Sequence, residues 1–139
     1  MKRILGIDWG EKKMGVSVSD LLHITASGVG VFYGDKEEKM KKIGELIKKY
    51  DVEEIVLGLP ISLSGKIENQ GKMTLEIKDE IEERFKIKIE LIDERFTSKI
   101  SKDKFSYEKK KGLKIKQKKI EDDVSSAIII LNSYLSRLR

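Results

Sequence analysis

Apolar residues recur along this chain at two different periods, and the switches between them mark out strands and helices. In Met14 to Ser19, Met14, Val16 and Val18 alternate with Gly15, Ser17 and Ser19, the period of two expected of a half-buried strand. Arg3 to Trp9 and Ile24 to Phe32 read as strands on either side of it, and the short turn Gly10 to Lys13 makes the first two a hairpin. From Lys36 to Tyr50 the spacing changes, with Met40, Ile43, Leu46 and Ile47 recurring at helical intervals. Ile55 to Leu59 is a short apolar run closed by Pro60, the pattern of a parallel strand covered on both faces. A loop from Ile61 to Gly71 then leads into a second amphipathic helix marked by Met73, Ile77, Ile81 and Phe85. Ile87 to Asp93 predicts a fifth strand, with Ile87, Ile89 and Leu91 on one parity and Lys88, Glu90 and Ile92 on the other. Thr97 or Ser98 could cap a short helix, after which Lys102 to Lys119 shows no apolar period and is left unassigned. The last helix carries the stripe Ile120, Val124, Ala127, Ile128, Leu131, Tyr134 and Leu135. Asp123 shares that stripe one turn before Ala127, whereas Asp122 shares its face with Ser126 and Ser133.

The order βββαβαβα predicts one α/β domain over residues 1–139. A three-stranded antiparallel meander joined to two parallel strands gives a mixed five-stranded sheet with helices on both faces and the first strand at its centre. Asp8 ends the first strand, Glu94 follows the fifth, and Asp123 opens the last helix, so the three acids could share the carboxyl edge of the sheet, where open α/β sheets bind ligands. Burying an unpaired carboxylate costs several kcal/mol, and a divalent metal is a common partner. Three converging carboxylates therefore predict a site for hard cations and phosphodiester chemistry.

Composition narrows the chemistry further. The chain has no cysteine and a single histidine, His23, so thiolate and multi-histidine metal centres are excluded and any metal must be held by oxygen. His23 and Trp9 are read as structural residues. No apolar run approaches the ~20 residues of a membrane span, which predicts a soluble, cytoplasmic protein with no membrane partner. Charged residues make up 38% of the chain, a Lys- and Glu-dominated balance like that of proteins from hot environments. Thr97 to Lys119 holds ten lysines against Asp103 and Glu108, more than the net charge of +5 for the whole chain, so the basic charge is concentrated and points to a polyanion partner.

Four motifs in order carry a family resemblance: Ile4-Leu5-Gly6-Ile7-Asp8-Trp9-Gly10 with Lys12, Lys13, Gly15, Val16, Ser19 and Asp20; Val56-Leu57-Gly58-Leu59-Pro60; Asp93-Glu94-Arg95-Phe96-Thr97-Ser98; and Asp123-Val124-Ser125-Ser126-Ala127 with Ile130, Leu131, Tyr134 and Leu135. Together they resemble the YqgF family, also called RuvX, over essentially the whole chain. The resemblance implies an RNase H-like fold and a nuclease that matures the 5′ end of pre-16S ribosomal RNA, with Holliday junction resolution as the older proposal for the family. Two departures stand out. Many relatives carry an Asn and an Asp-Gly pair after Gly-Leu-Pro where this chain has Ser62, Leu63, Ser64 and Gly65, and the basic segment is unusually rich in lysine.

Carried onto this sequence, the resemblance makes Asp8, Glu94 and Asp123 a catalytic acidic triad that holds Mg²⁺, with Mn²⁺ able to substitute. Lys12, Lys13, Arg95, Lys109, Lys110, Lys111, Lys114, Lys116, Lys118 and Lys119 are the expected nucleic-acid contacts, and nothing among them requires base-specific readout. The expected partners are structured RNA or branched DNA and a pre-ribosomal particle. RNA maturation and junction resolution use the same acids, and the sequence shows no long exposed apolar helix face to build a two-fold dimer, which leans toward a monomer acting on RNA. Two other classes compete. The Gly-Ile-Asp-x-Gly opening also resembles the phosphate loop of actin-like ATPases, which need two such domains, more than this length supplies. A non-catalytic RNA-binding module with the same fold is the second.

Overall fold

Five strands, β1 (Arg3–Trp9), β2 (Lys13–Ser19), β3 (Ala26–Tyr33), β4 (Val52–Leu59) and β5 (Lys88–Asp93), form one sheet in the order β3-β2-β1-β4-β5. The computed structural model describes residues 2–60, 69–93 and 115–138, with the side chains of 115–123 outside that description. β1 is central, antiparallel to β2 and parallel to β4, and β2 and β4 pair with the edge strands β3 and β5. The helices are α1 (Lys36–Tyr50), α2 (Asn69–Phe85) and α3 (Ile115–Arg137). The expected mixed five-stranded sheet with the first strand at its centre is therefore observed.

The period-2 alternation of β1 sends Leu5, Ile7 and Trp9 to one face, where they pack with Met14, Val16, Ile55 and Leu57 against Met40, Ile43 and Leu46 of α1 and Ile77 and Ile81 of α2. Ile4, Val56 and Ile92 on the other face pack against Ile130, Leu131 and Leu135 of α3. This second face is floored by small residues. A Cβ added to Gly6 would fall 2.8 Å from Leu131 Cβ, and one added to Gly28 only 2.4 Å from Val124 Cγ1, so α3 lies directly on the backbone of β1 and β3. Ser17 Oγ donates to the Ala127 carbonyl at 2.7 Å, and Ser19 Oγ accepts from Ile4 N–H at 2.8 Å. β2 is consequently buried on both faces, where the alternation predicts one wet face; the hydroxyls read as solvent-facing are satisfied internally.

Other boundaries shift for identifiable reasons. β3 starts at Ala26 rather than Ile24 because the Asp20 carboxylate accepts from the Ile24 and Thr25 N–H groups and holds them in a turn. β4 starts at Val52 rather than Ile55: Asp51 ends α1 in the left-handed conformation, and the charged Glu54 is accommodated in the strand by Lys88 on β5 at 3.0 Å. α2 starts at Asn69, inside the expected loop, because Gly71 is a buried packing position and not a breaker. α3 takes in Ile115 to Lys119, the end of the unassigned segment, since lysine is a good helix former even without an apolar period. Its buried stripe is also wider than predicted, adding Ser125, Ile129 and Ile130, while Val124, Ile128 and Tyr134 are half-buried. The expected cap at Thr97 or Ser98 and the stretch from Lys102 to Lys114 lie outside the described residues. Among the described residues no helix is long and apolar enough to cross a membrane.

Candidate active site at the end of the central strand

Asp8 is the penultimate residue of β1, two positions past Gly6 and on the same face, so strand alternation places its carboxylate on the α3 side at the carboxyl edge of the sheet. It pairs in register with Gly15 of β2, which pairs in turn with Val31 of β3. Along that row the neighbouring side chains are hydrogen and isopropyl, leaving space beside the acid. A cavity of about 210 Å³ opens there, lined by Asp8, Trp9, Gly10, Lys13, Gly15, Val31 and Gln70. Asp8 is half-buried, less enclosed than the apolar pattern suggests, and Lys13 is exposed at the rim. Asp93 ends β5 beside Leu59, at the same edge.

Lys12 is exposed in the β1–β2 turn next to Lys13. Glu94, Arg95, Lys109, Lys110, Lys111 and Lys114 lie outside the described residues. Asp123, Lys116, Lys118 and Lys119 are on the backbone of α3, their side chains outside the description. The described residues alone contain no group of three potential metal ligands. Trp9 is 3% exposed and packs in the core under the cavity, in line with a structural role. His23 is far from any acid cluster of the site: its Nε2 lies 2.7 Å from the Lys2 carbonyl and 3.4 Å from Glu53.

Sequence reasoning passed over Gln70 and, more consequentially, Lys39. Lys39 is 2% exposed on α1, where the capping box of Asp35 and Glu38 sets the first turn. Its ammonium lies 4.1 Å from the Trp9 ring centroid and donates to the carbonyls of Gly10 and Glu11. Burial pushes its pKa down, against the pull of Asp35 and Glu11. The readable signal was its spacing, four residues before Ile43 and seven before Leu46, which puts a lysine on an apolar stripe.

A mixed sheet of this order, with helices on both faces and β1 at its centre, is an RNase H-like fold. Solved structures of similar fold include T. thermophilus RuvC in complex with Holliday junction substrate, at a TM-score of 0.62 and 13% identity over 99% of this chain and 96% of that one. The Fowlpox virus resolvase in complex with substrate Holliday junction DNA superposes at a TM-score of 0.59 and 15% identity over 98% of each chain. The chain belongs to the RuvX family, whose model, described as Holliday junction resolvase, matches residues 2–137. Relatives include proteins of Sulfurihydrogenibium sp. (strain YO3AOP1), 41% identical over 99% of this chain and 92% of its own, and of Enterococcus faecalis (strain ATCC 700802 / V583), 35% identical over 96% of each. A Clostridium botulinum (strain Eklund 17B / Type B) relative is 39% identical over 98% of both chains. All three bear the name "Putative pre-16S rRNA nuclease".

Proposed function

We propose that this chain is a metal-dependent nuclease that trims the 5′ end of pre-16S ribosomal RNA, with Asp8, Glu94 and Asp123 as its acidic triad. The observation that carries the reading is Asp8 itself, a half-buried carboxylate on the wall of a cavity at the end of the central strand, where its row neighbours leave space. The names of the relatives give the substrate class.

Two features support the other acids. Glu94 follows directly on β5, whose last residue, Asp93, pairs with Leu59 at the same sheet edge as Asp8. On α3, Leu135 packs near Ile4 and Ala127 reaches Ser17 beside Gly6, so the turn before Ala127, which contains Asp123, extends toward the row of Asp8, Gly15 and Val31. The donor chemistry fits a hard divalent cation such as Mg²⁺, because the chain has no cysteine and its only histidine is engaged elsewhere. Bound there, such a cation supplies Lewis-acid stabilisation of the charge that builds on the phosphoryl oxygens. Asp8, Glu94 and Asp123 hold it, Lys12, Lys13 and Arg95 neutralise the phosphates flanking the cleaved bond, and the lysines from Lys109 to Lys119 draw the polyanion in from a distance.

Junction resolution is the second reading, favoured by the description of the family and by the resolvase structures of similar fold. Cleavage of a 5′-extended pre-16S fragment and of a four-way DNA junction, each with Mg²⁺ and then Mn²⁺, separates the two. RNA trimming without junction nicking is the expected result; symmetric paired nicks in the junction with intact RNA would transfer the assignment to DNA.

A further inference from the structure

The turn joining β1 to β2 has an unusual distribution of hydrogen bonds. All four of its carbonyl oxygens are engaged by the protein: Gly10 and Glu11 by the Lys39 ammonium, Lys12 by Gly34 N–H at 3.2 Å, and Lys13 by Gly10 N–H at 2.9 Å. A trans peptide points its C=O and N–H in opposite directions. With the Gly10 and Glu11 carbonyls drawn toward the buried Lys39, the N–H groups of Glu11 and Lys12 point away from it, toward the surface on which Glu11, Lys12 and Lys13 are exposed. An approaching anion therefore meets the Glu11 and Lys12 amide donors beside the exposed Lys12 and Lys13 side chains, with the Gly10 and Glu11 carbonyls turned inward; the Glu11 carboxylate is the turn's one acidic side chain.

We propose that Lys39 is a positioning residue that pins the Gly10–Lys13 turn as a clamp for the phosphate backbone of the nucleic acid. Lys39 does not reach substrate. It acts through the turn, which begins two residues beyond Asp8, by fixing the Gly10 and Glu11 carbonyls inward and thereby presenting the Glu11 and Lys12 amides and the side chains of Lys12 and Lys13. The Trp9 ring supplies the other side of the ammonium's cage, so the same residue that closes the core under the cavity holds the clamp's anchor in place. This inference rests on the nuclease reading only for the identity of the polyanion. Phosphate contacts are indifferent to base sequence, so the clamp can be tested with either RNA or DNA.

The test compares wild type with Lys39→Met, which keeps the aliphatic stem against Trp9 and removes the donors, in two assays. Binding is read by fluorescence anisotropy of a labelled, structured RNA in chelator, across a salt series; cleavage kinetics are read with Mg²⁺. Lys39→Met should weaken binding roughly ten-fold and flatten the log–log salt dependence by about 1.4 to 1.8, the share of two phosphate contacts. KM should rise while kcat at saturating RNA stays within about two-fold, because the acids are untouched. In a Lys12→Gln, Lys13→Gln background the same substitution should lose clearly less affinity than in wild type, since only the turn's amides remain to be displaced, a coupling that a merely structural role would not produce. Gly10→Ala is the second variant, should Lys39→Met not fold. Its Cβ would fall 2.8 Å from the Lys13 carbonyl, distorting the turn without touching Lys39, and it should reproduce the binding loss. Unchanged affinity and salt slope in the folded variant, or full additivity with the Lys12 and Lys13 changes, overturns the proposal. Wild type that binds RNA and cuts nothing would instead overturn the nuclease reading and leave the clamp to be judged on binding alone.

Discussion

Substituting Gly6 by alanine tests how the site is assembled, because Gly6 is where α3 touches the central strand. The added Cβ would stand 2.4 Å from Ser17 Oγ, 2.8 Å from Leu131 Cβ and 3.0 Å from the Ala127 carbonyl oxygen. Relaxed contacts between such atoms are about 3.5 to 4.0 Å, so helix and sheet must part by roughly 1 Å. None of the three neighbours is the loose end of a flexible side chain. Overpacking of this kind costs about 1 to 3 kcal/mol. Separation also stretches the 2.7 Å bond from Ser17 to Ala127 and strands a buried hydroxyl, adding about 1 to 2 kcal/mol. Gly6→Ala should therefore lose roughly 3 to 4 kcal/mol, a large share of the ~5 to 15 kcal/mol that holds a domain together. Ser17→Ala alone, which removes the bond without a clash, should lose about 1 kcal/mol. The double variant should be less destabilised than the sum, since it removes the shortest of the three contacts. Urea unfolding followed by circular dichroism reads all three. A Gly6→Ala protein within 1 kcal/mol of wild type would refute the claim that α3 rests on the β1 backbone.

Lys88 joins Glu54 at 3.0 Å and Glu90 at 3.3 Å, and Glu54 is only 8% exposed, so Lys88→Met should lower the urea midpoint and Glu54→Gln in that background should recover part of the loss. Burial and the hydrogen bond to Glu54 raise the Tyr134 pKa to about 12, so one tyrosine should ionise late in an ultraviolet titration; the stability this shift contributes is present below pH 10 and lost as pH rises toward 12. The Asp20 carboxyl is held below its ordinary value by the N–H groups of Ile24 and Thr25, a contribution present above the unfolded pKa near 3.8 and lost as pH falls through the folded one. Unfolding midpoints measured from pH 7 down to pH 3 should fall more steeply for wild type than for Asp20→Asn.

Much of the architecture was legible because it follows from periodicity. Lys36 to Tyr50 reads as a helix from its apolar spacing alone, and the apolar run before Pro60 announces a covered parallel strand next to β1. What the pattern could not give was tertiary satisfaction of polar groups. Ser17 and Ser19 look solvent-facing until α3 and β1 supply their partners, and Glu54 falls outside the predicted strand Ile55 to Leu59, although Lys88 on β5 accommodates it within β4. Ile24 reads as the start of a strand, yet it is exposed on the turn that Asp20 organises. At the site, Asp8 was readable because it ends an apolar strand before Trp9-Gly10. Lys39 was not, because its function depends on two carbonyls that chain reversal brings to it from 28 and 29 residues away.

The most direct test is single-turnover cleavage of the 5′-extended pre-16S fragment by wild type and Asp8→Asn in Mg²⁺, with RNA binding measured in parallel. Loss of at least three orders of magnitude in rate, with native circular dichroism and RNA affinity within about two-fold, is the result expected of a carboxylate that holds the reacting centre. An Asp8→Asn protein that cleaves at the wild-type rate would contradict the assignment of the cavity at the end of β1 as the catalytic site.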